Sequence, residues 1–147
     1  MKVFICADHR GFFVKQEIIP YLIKKEIEVI DIGNVVHDPL DDFPPLAQKV
    51  ARSVQKDPYN ALGIVICGSG VGVSISANRF KNIRCGLCFN IDQTESAKKH
   101  DHMNVLAIPA DYIDLEYLKK IIDTFLTTDF DQQEKYKRRL NQIEEIL

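Results

Sequence analysis

The chain is 147 residues long, which suits one domain with a proper hydrophobic core and leaves little room for two. Apolar residues make up 46% and charged residues 27%, the balance of an ordinary globular chain rather than of a disordered one. The formal charge of −2 argues against nucleic acid as a partner, and no apolar run approaches the length that spans a bilayer. The opening run Met1–Ala7 turns charged at Asp8-His9-Arg10, too soon for a signal peptide, so a cytoplasmic protein without membrane association is expected.

The first predicted strand, Lys2–Cys6, leads into Cys6-Ala7-Asp8-His9-Arg10-Gly11. A carboxylate, an imidazole and a guanidinium crowd one turn there. Two readings fit it: Asp8 caps the helix that follows, or the turn grips a sugar ring and its phosphate. A helix is expected over 11–25, with Phe12, Ile19, Leu22 and Ile23 spaced for one buried face. A second strand, Glu28–Asp31, precedes a helix over 43–56.

The third strand, Leu62–Cys67, runs into Cys67-Gly68-Ser69-Gly70-Val71-Gly72. Three glycines in this stretch let backbone N–H groups converge on one point. The pattern is neither a Walker A loop, for no Lys-Ser or Lys-Thr follows, nor G-x-G-x-x-G, so it gives little support to nucleotide binding. A cysteine entering such a nest is more informative. Converging amides and a helix N-terminus favour a thiolate, a competent base or nucleophile, and the same amides can hold a developing oxyanion. The plain alternative is a buried thiol beside a tight turn. The next segment, Val71–Ala77, alternates as a strand would, but a parallel sheet needs a crossover at this point, so a helix over 71–80 is expected.

The fourth strand, Arg84–Cys88, contains Cys85-Gly86-Leu87-Cys88. Residues three apart on a strand point to opposite faces, so this C-x-x-C is read as structural rather than redox-active. All four cysteines, at 6, 67, 85 and 88, are expected as free thiols. A helix over 92–100 ends in Lys98-Lys99-His100-Asp101-His102-Met103-Asn104. His-x-His hints at a metal, but no third ligand cluster accompanies it, and no metal is expected. A lone helix-end histidine such as His100 is usually structural, favoured by the dipole, so an acid–base role for it needs further support. A fifth strand, Val105–Ile108, and a helix over 114–127 follow. The tail, Asp131–Leu147, reads as a polar helix with a thin stripe at Tyr136, Leu140, Ile143 and Leu147, suited either to its own domain or to an arm on a partner subunit.

Mostly apolar strands separated by helices predict a single doubly wound (Rossmann-like) three-layer α/β domain over 1–147, with a five-stranded parallel sheet and a C-terminal helical arm. In such sheets ligands bind beyond the carboxyl ends of the strands.

Three motifs in register, Asp8-His9-x-Gly11, Cys67-Gly68-Ser69-Gly70-x-Gly72 and His100-x-x-x-Asn104-Val105-Leu106, resemble type B ribose-5-phosphate isomerase, a family that includes galactose-6-phosphate isomerase subunits. The likeness runs continuously through residues 1–127 and weakens in the tail. It implies a cofactor-free aldose–ketose isomerase that works through an enediolate. Cys67 matches the family's base, Gly68, Ser69, Gly70, Val71 and Gly72 the loop that stabilises the enediolate, and Asp8 and His9 residues that grip ring hydroxyls and phosphate. His100 matches the group that opens the sugar ring, donated across a dimer interface, with Asp101 beside it standing where Asn is usual. Arg138 matches one arginine of the phosphate clamp. The resemblance further implies a homodimer with shared active sites, the helix of 130–147 lying on the partner; pairing of dimers stays open.

The sequence also departs from the family. Relatives that use a glutamate base carry it where this chain has Val73. Asp111 and Glu134 stand where many relatives have arginine, and Phe43 replaces a tyrosine. Two carboxylates there would repel a phosphate dianion, which Lys135, Arg139 or Arg10 would have to offset. A different sugar, with or without phosphate, or a binding module that has lost turnover, therefore remain as alternatives.

Overall fold

The computed structural model describes residues 1–145. Five strands, β1 (Lys2–Ala7), β2 (Glu28–Asp31), β3 (Ala61–Cys67), β4 (Cys85–Leu87) and β5 (Val105–Pro109), form one sheet in the order β2-β1-β3-β5-β4. Every pairing is parallel, from Lys2 against Glu28 at one side to Cys85 against Val105 at the other. Among the described residues six helices accompany them: α1 (Phe12–Lys24), α2 (Phe43–Gln55), α3 (Val71–Ala77), α4 (Ile91–Asp101), α5 (Leu115–Thr127) and α6 (Glu134–Glu144). The expected doubly wound α/β architecture is what the chain adopts.

Alternation along the central strands divides the core into two layers. Val3, Ile5 and Ala7 of β1 and Leu62, Ile64 and Ile66 of β3 meet Ile18 and Leu22 of α1 and Leu118, Ile121 and Phe125 of α5. The intervening residues, Cys6, Val65 and Cys67, face Leu46, Val50 and Val54 of α2 and Val73 and Ala77 of α3. A strand buried on both faces has no polar alternation to display, which is why β3 reads as a continuous apolar run.

Three expectations about the helices need correction. The buried face of α1 is Phe12, Lys15, Ile18 and Leu22, whereas Ile23 is exposed. Lys15 takes a core position because its ammonium reaches both oxygens of Asp31, at 3.0 and 2.7 Å, and the carbonyl of Asn34 at 2.7 Å. A buried charge is tolerated when it is paired and hydrogen-bonded. The tail helix begins at Glu134 rather than Asp131, because Asp131 caps its own turn by accepting from the Gln133 N–H. Tyr136 of the expected stripe is buried and Ile143 exposed, while Leu147 lies outside the described residues. The ambiguous Val71–Ala77 segment is helical, ending at Ala77 rather than at residue 80.

Candidate active site

All strands run in one direction, so their carboxyl ends share one edge of the sheet. The chain leaves β1 toward β2 on one side and later builds β3 on the other, which makes the boundary between β1 and β3 the topological switch point. The β1–α1 turn and the β3–α3 loop both lie there. Asp8 N–H donates to the carbonyl of Ile66 at 3.0 Å, tying the two together.

Cys67 closes β3 and is 5% exposed. Its Sγ accepts the Gly70 N–H at 3.0 Å, so one amide of the glycine loop is aimed at the sulfur. Gly70 sits at φ +73°, a left-handed conformation that costs glycine little, and a Cβ there would lie 2.5 Å from Leu87 Cδ1. Ser69 is exposed, and its Oγ accepts the Val71 N–H at 3.3 Å. The ring of Phe43 lies against Gly72, with Cζ only 2.6 Å from where a Cβ would stand.

Burial pushes the Cys6 thiol strongly up, Cys85 up to about 12, and Cys88 up as well, which keeps all three protonated. Cys85 packs with the α2–α3 layer and Cys88 with the opposite layer, so the C-x-x-C pair is split by the sheet as expected.

Asp8 is buried and its Oδ1 accepts the N–H groups of Arg10 at 2.9 Å and Gly11 at 3.0 Å. Asp8 thus orders the turn that enters α1, although the N-cap is Gly11 and no side chain caps the helix, and it stands at the switch point. Desolvation raises the Asp8 pKa, against the pull of those two amides. The guanidinium of Arg10 lies across Gly68 and pairs with Asp111 from the β5–α5 loop. The Ala110 N–H donates to the Cys67 carbonyl at 2.9 Å and the Asp111 N–H to the Gly68 carbonyl at 3.0 Å, fixing that loop beside the cysteine.

The remaining expected residues lie elsewhere. α4 starts from the carboxyl edge and runs back for 11 residues, about 16 Å, so His100 and Asp101 end at the opposite edge, beside the starts of β4 and β5. The His100 ring stacks on Tyr136 of α6 at 4.4 Å and 12°. Glu144, at the far end of α6, meets Arg84 at 3.0 Å just before β4, so Arg138 is carried on the same side as His100. Arg138 is exposed there. Glu134 approaches Lys137 at 3.8 Å, and Lys135 and Arg139 flank the Tyr136 ring at 4.7 and 6.0 Å. One chain therefore brings together Asp8, His9 and residues 67–72, but not His100, Asp101 or Arg138.

Sequence reasoning missed Asp41, whose carboxylate receives both the backbone N–H and the ring Nδ1 of His9, at 2.9 and 2.8 Å. The two residues are 32 positions apart, and no local pattern links them. It also left open which carboxylate or phosphate Arg10 serves.

Comparison with known proteins gives the family and the fold. The family model described as Ribose/Galactose Isomerase matches residues 3–143. A probable ribose-5-phosphate isomerase B of Mycoplasma pneumoniae is 38% identical over 92% of this chain and 89% of its own length. The ribose-5-phosphate isomerase B of Escherichia coli is 36% identical over 88% of this chain and 86% of its own length. The crystal structure of ribose-5-phosphate isomerase B from Mycoplasma genitalium with bound ribulose-5-phosphate superposes with a TM-score of 0.95, at 34% identity, over 99% of this chain and 95% of that one.

Proposed function

From the premise that the chain belongs to the ribose/galactose isomerase family and is an aldose–ketose isomerase, we propose that it interconverts ribose 5-phosphate and ribulose 5-phosphate with Cys67 as the base. The observation that carries the assignment of the base is the Gly70 amide directed at Cys67 Sγ. A thiolate at that point can take the proton from the carbon beside the carbonyl, and the loop Gly68–Gly72 supplies backbone donors for the oxygen that gains charge. Taking the proton from C2 of the aldose leaves an enediolate; moving the O2 hydroxyl proton to O1 and returning the carbon-bound proton to C1 gives the ketose. The atoms balance without redox exchange, and no step calls on a metal or redox cofactor.

The separation of Cys67 from His100, Asp101 and Arg138 supports a homodimer with shared sites. Each chain offers the base half of a site at the carboxyl edge and a ring-opening and anion-binding half at the amino edge. A second copy, packed so that α4 and α6 of one chain face the β3–α3 loop of the other, would complete both sites at once, as two-fold symmetry requires. Such a closure also removes water from the enediolate. α6 then lies at the interface, and the cytoplasm is the expected compartment.

Solvent deuterium exchange tests the reading. Ribose 5-phosphate incubated with the protein in heavy water gains deuterium at C2, and Cys67→Ala abolishes the labelling. Exchange that survives in Cys67→Ala removes the thiol from the base role; binding without exchange across a panel of sugar phosphates makes the chain a binding module.

One observation favours a second reading, an isomerase of a different sugar or sugar phosphate. Arg10, the cation nearest the cysteine loop, is already paired with Asp111, so its charge is not free for a dianion. Turnover of a panel of pentoses and hexoses with and without phosphate, scored by product, decides between the two.

A further inference from the structure

Beyond the residues already assigned a role, His9 is held by a chain of polar contacts that begins in the core. Lys15, fully buried, binds Asp31 and the Asn34 carbonyl. The Asn34 side-chain amide donates to Asp41 Oδ2 at 2.8 Å. Asp41, whose side chain is 8% exposed, presents Oδ1 to both the backbone N–H and Nδ1 of His9. The His9 carbonyl accepts from His37 Nε2 at 3.2 Å, so main chain and ring are fixed together.

A carboxylate accepts hydrogen bonds and does not donate them, so the partner nitrogen must carry the proton. We infer that Asp41 is a positioning residue for the reaction: it holds the His9 ring with the proton on Nδ1, leaving Nε2 as the nitrogen that meets substrate. In the neutral ring that nitrogen is an acceptor, and the group it accepts from is a sugar hydroxyl. The second contact made by Nδ1 in metal sites and catalytic triads sets the tautomer of a histidine in the same way. The inference rests on the reading of the β1–α1 turn as part of the substrate site.

The geometry predicts an unusual pair of variants. In Asp41→Asn the new amide faces the Asn34 amide, and two NH₂ groups cannot donate to each other. Turning the introduced amide over to accept from Asn34 would place its NH₂ against both the His9 backbone N–H and Nδ1, which breaks the main-chain bond and drives the ring proton to Nε2. Exchanging the two residues, Asn34→Asp with Asp41→Asn, lets position 41 donate to position 34 while its carbonyl still accepts from His9.

The test is nitrogen-15 NMR of the histidine rings in the full chain at about pH 8, where an ordinary imidazole is neutral, with kcat/KM and thermal midpoints measured on the same proteins. His9 is expected as the Nδ1–H tautomer in the wild type, as Nε2–H in Asp41→Asn, and as Nδ1–H again in the exchanged pair. The single variant should lose about 10- to 100-fold in kcat/KM, the usual effect of one hydrogen bond to a charged group, and the exchanged pair should recover most of it. An Asp41 that only supports the loop would lower the midpoint without moving the tautomer. That result, an Nε2–H wild type, or an unchanged kcat/KM in Asp41→Asn overturns the inference. The tautomer is read on the free protein, so its failure is distinguishable from failure of the isomerase reading, which deuterium exchange detects.

Discussion

The two edges of the sheet are built by different means. At the carboxyl edge, Cys67, Asp8 and His9 are buried or half-buried, and every one is fixed by hydrogen bonds from distant segments or from backbone amides. At the amino edge, His100 is held by stacking on Tyr136, while Asp101 and Arg138 project outward. Preorganised donors belong where charge develops in a transition state, because they need no rearrangement at the moment of reaction. Groups that meet substrate only when a second chain arrives are better carried exposed on a helix. The contrast supports the proposal that one chain carries two unlike half-sites rather than one whole site.

Mixing dead variants is the strongest way to break that comparison. Cys67→Ala and His100→Ala should each be nearly inactive alone. Refolded together they should regain about a quarter of wild-type activity, since about half of randomly mixed dimers pair unlike chains and each of those has one intact site of two. A mixture as dead as its parts would mean that the site closes within a single chain.

A smaller but still large effect is expected at Gly70. Gly70→Ala forces a Cβ toward Leu87 at φ +73°, a strain of about 1–3 kcal/mol, and moves the amide that faces Cys67. Chemical denaturation should show the lost stability, and kcat should fall further than stability alone accounts for. Wild-type kcat in a folded Gly70→Ala would detach that amide from the chemistry.

Arg138→Ala probes the amino edge. KM for a phosphorylated sugar should rise about tenfold with little change in kcat, as expected when a charge-assisted contact to the ground state is lost. An unaltered KM would place the anion elsewhere, with Arg10 the next candidate.

The smallest effect concerns the amino edge itself. Burial, with Arg84 and Lys98 adding like charge, lowers the His102 pKa to about 4 from 6.5. The unfolded chain therefore binds more protons between those values. The stability due to neutral His102 is complete above about pH 6.5 and is lost as pH falls toward 4, on the order of 1 kcal/mol. His102→Asn, which tolerates the left-handed backbone at φ +50°, should flatten that slope in urea titrations between about pH 4 and 7. A slope equal to the wild type's would assign the loss to other groups.

Much of this was legible in the linear chain. The inner strands β3 and β5 are short, apolar and buried on both faces, and the motifs that follow β1 and β3 sit where a parallel sheet must place its ligand. These are local properties, and residues 67–72 adopt the turn their glycines permit. The amphipathic reading of α1 failed at Lys15 because a lysine counts as polar in a pattern, and only its partners Asp31 and Asn34 make it a core residue.

What the sequence settled by itself was the order of strands and helices, the two motif-bearing turns and the cysteine that enters the glycine loop, all of which depend on residues within a few positions of each other. The tertiary structure alone decided that Arg10 meets Asp111, that Asp41 holds His9, and that His100 stands at the far edge from Cys67. Those relations join residues tens of positions apart, and only the packing of helices back across the sheet determines which of them meet.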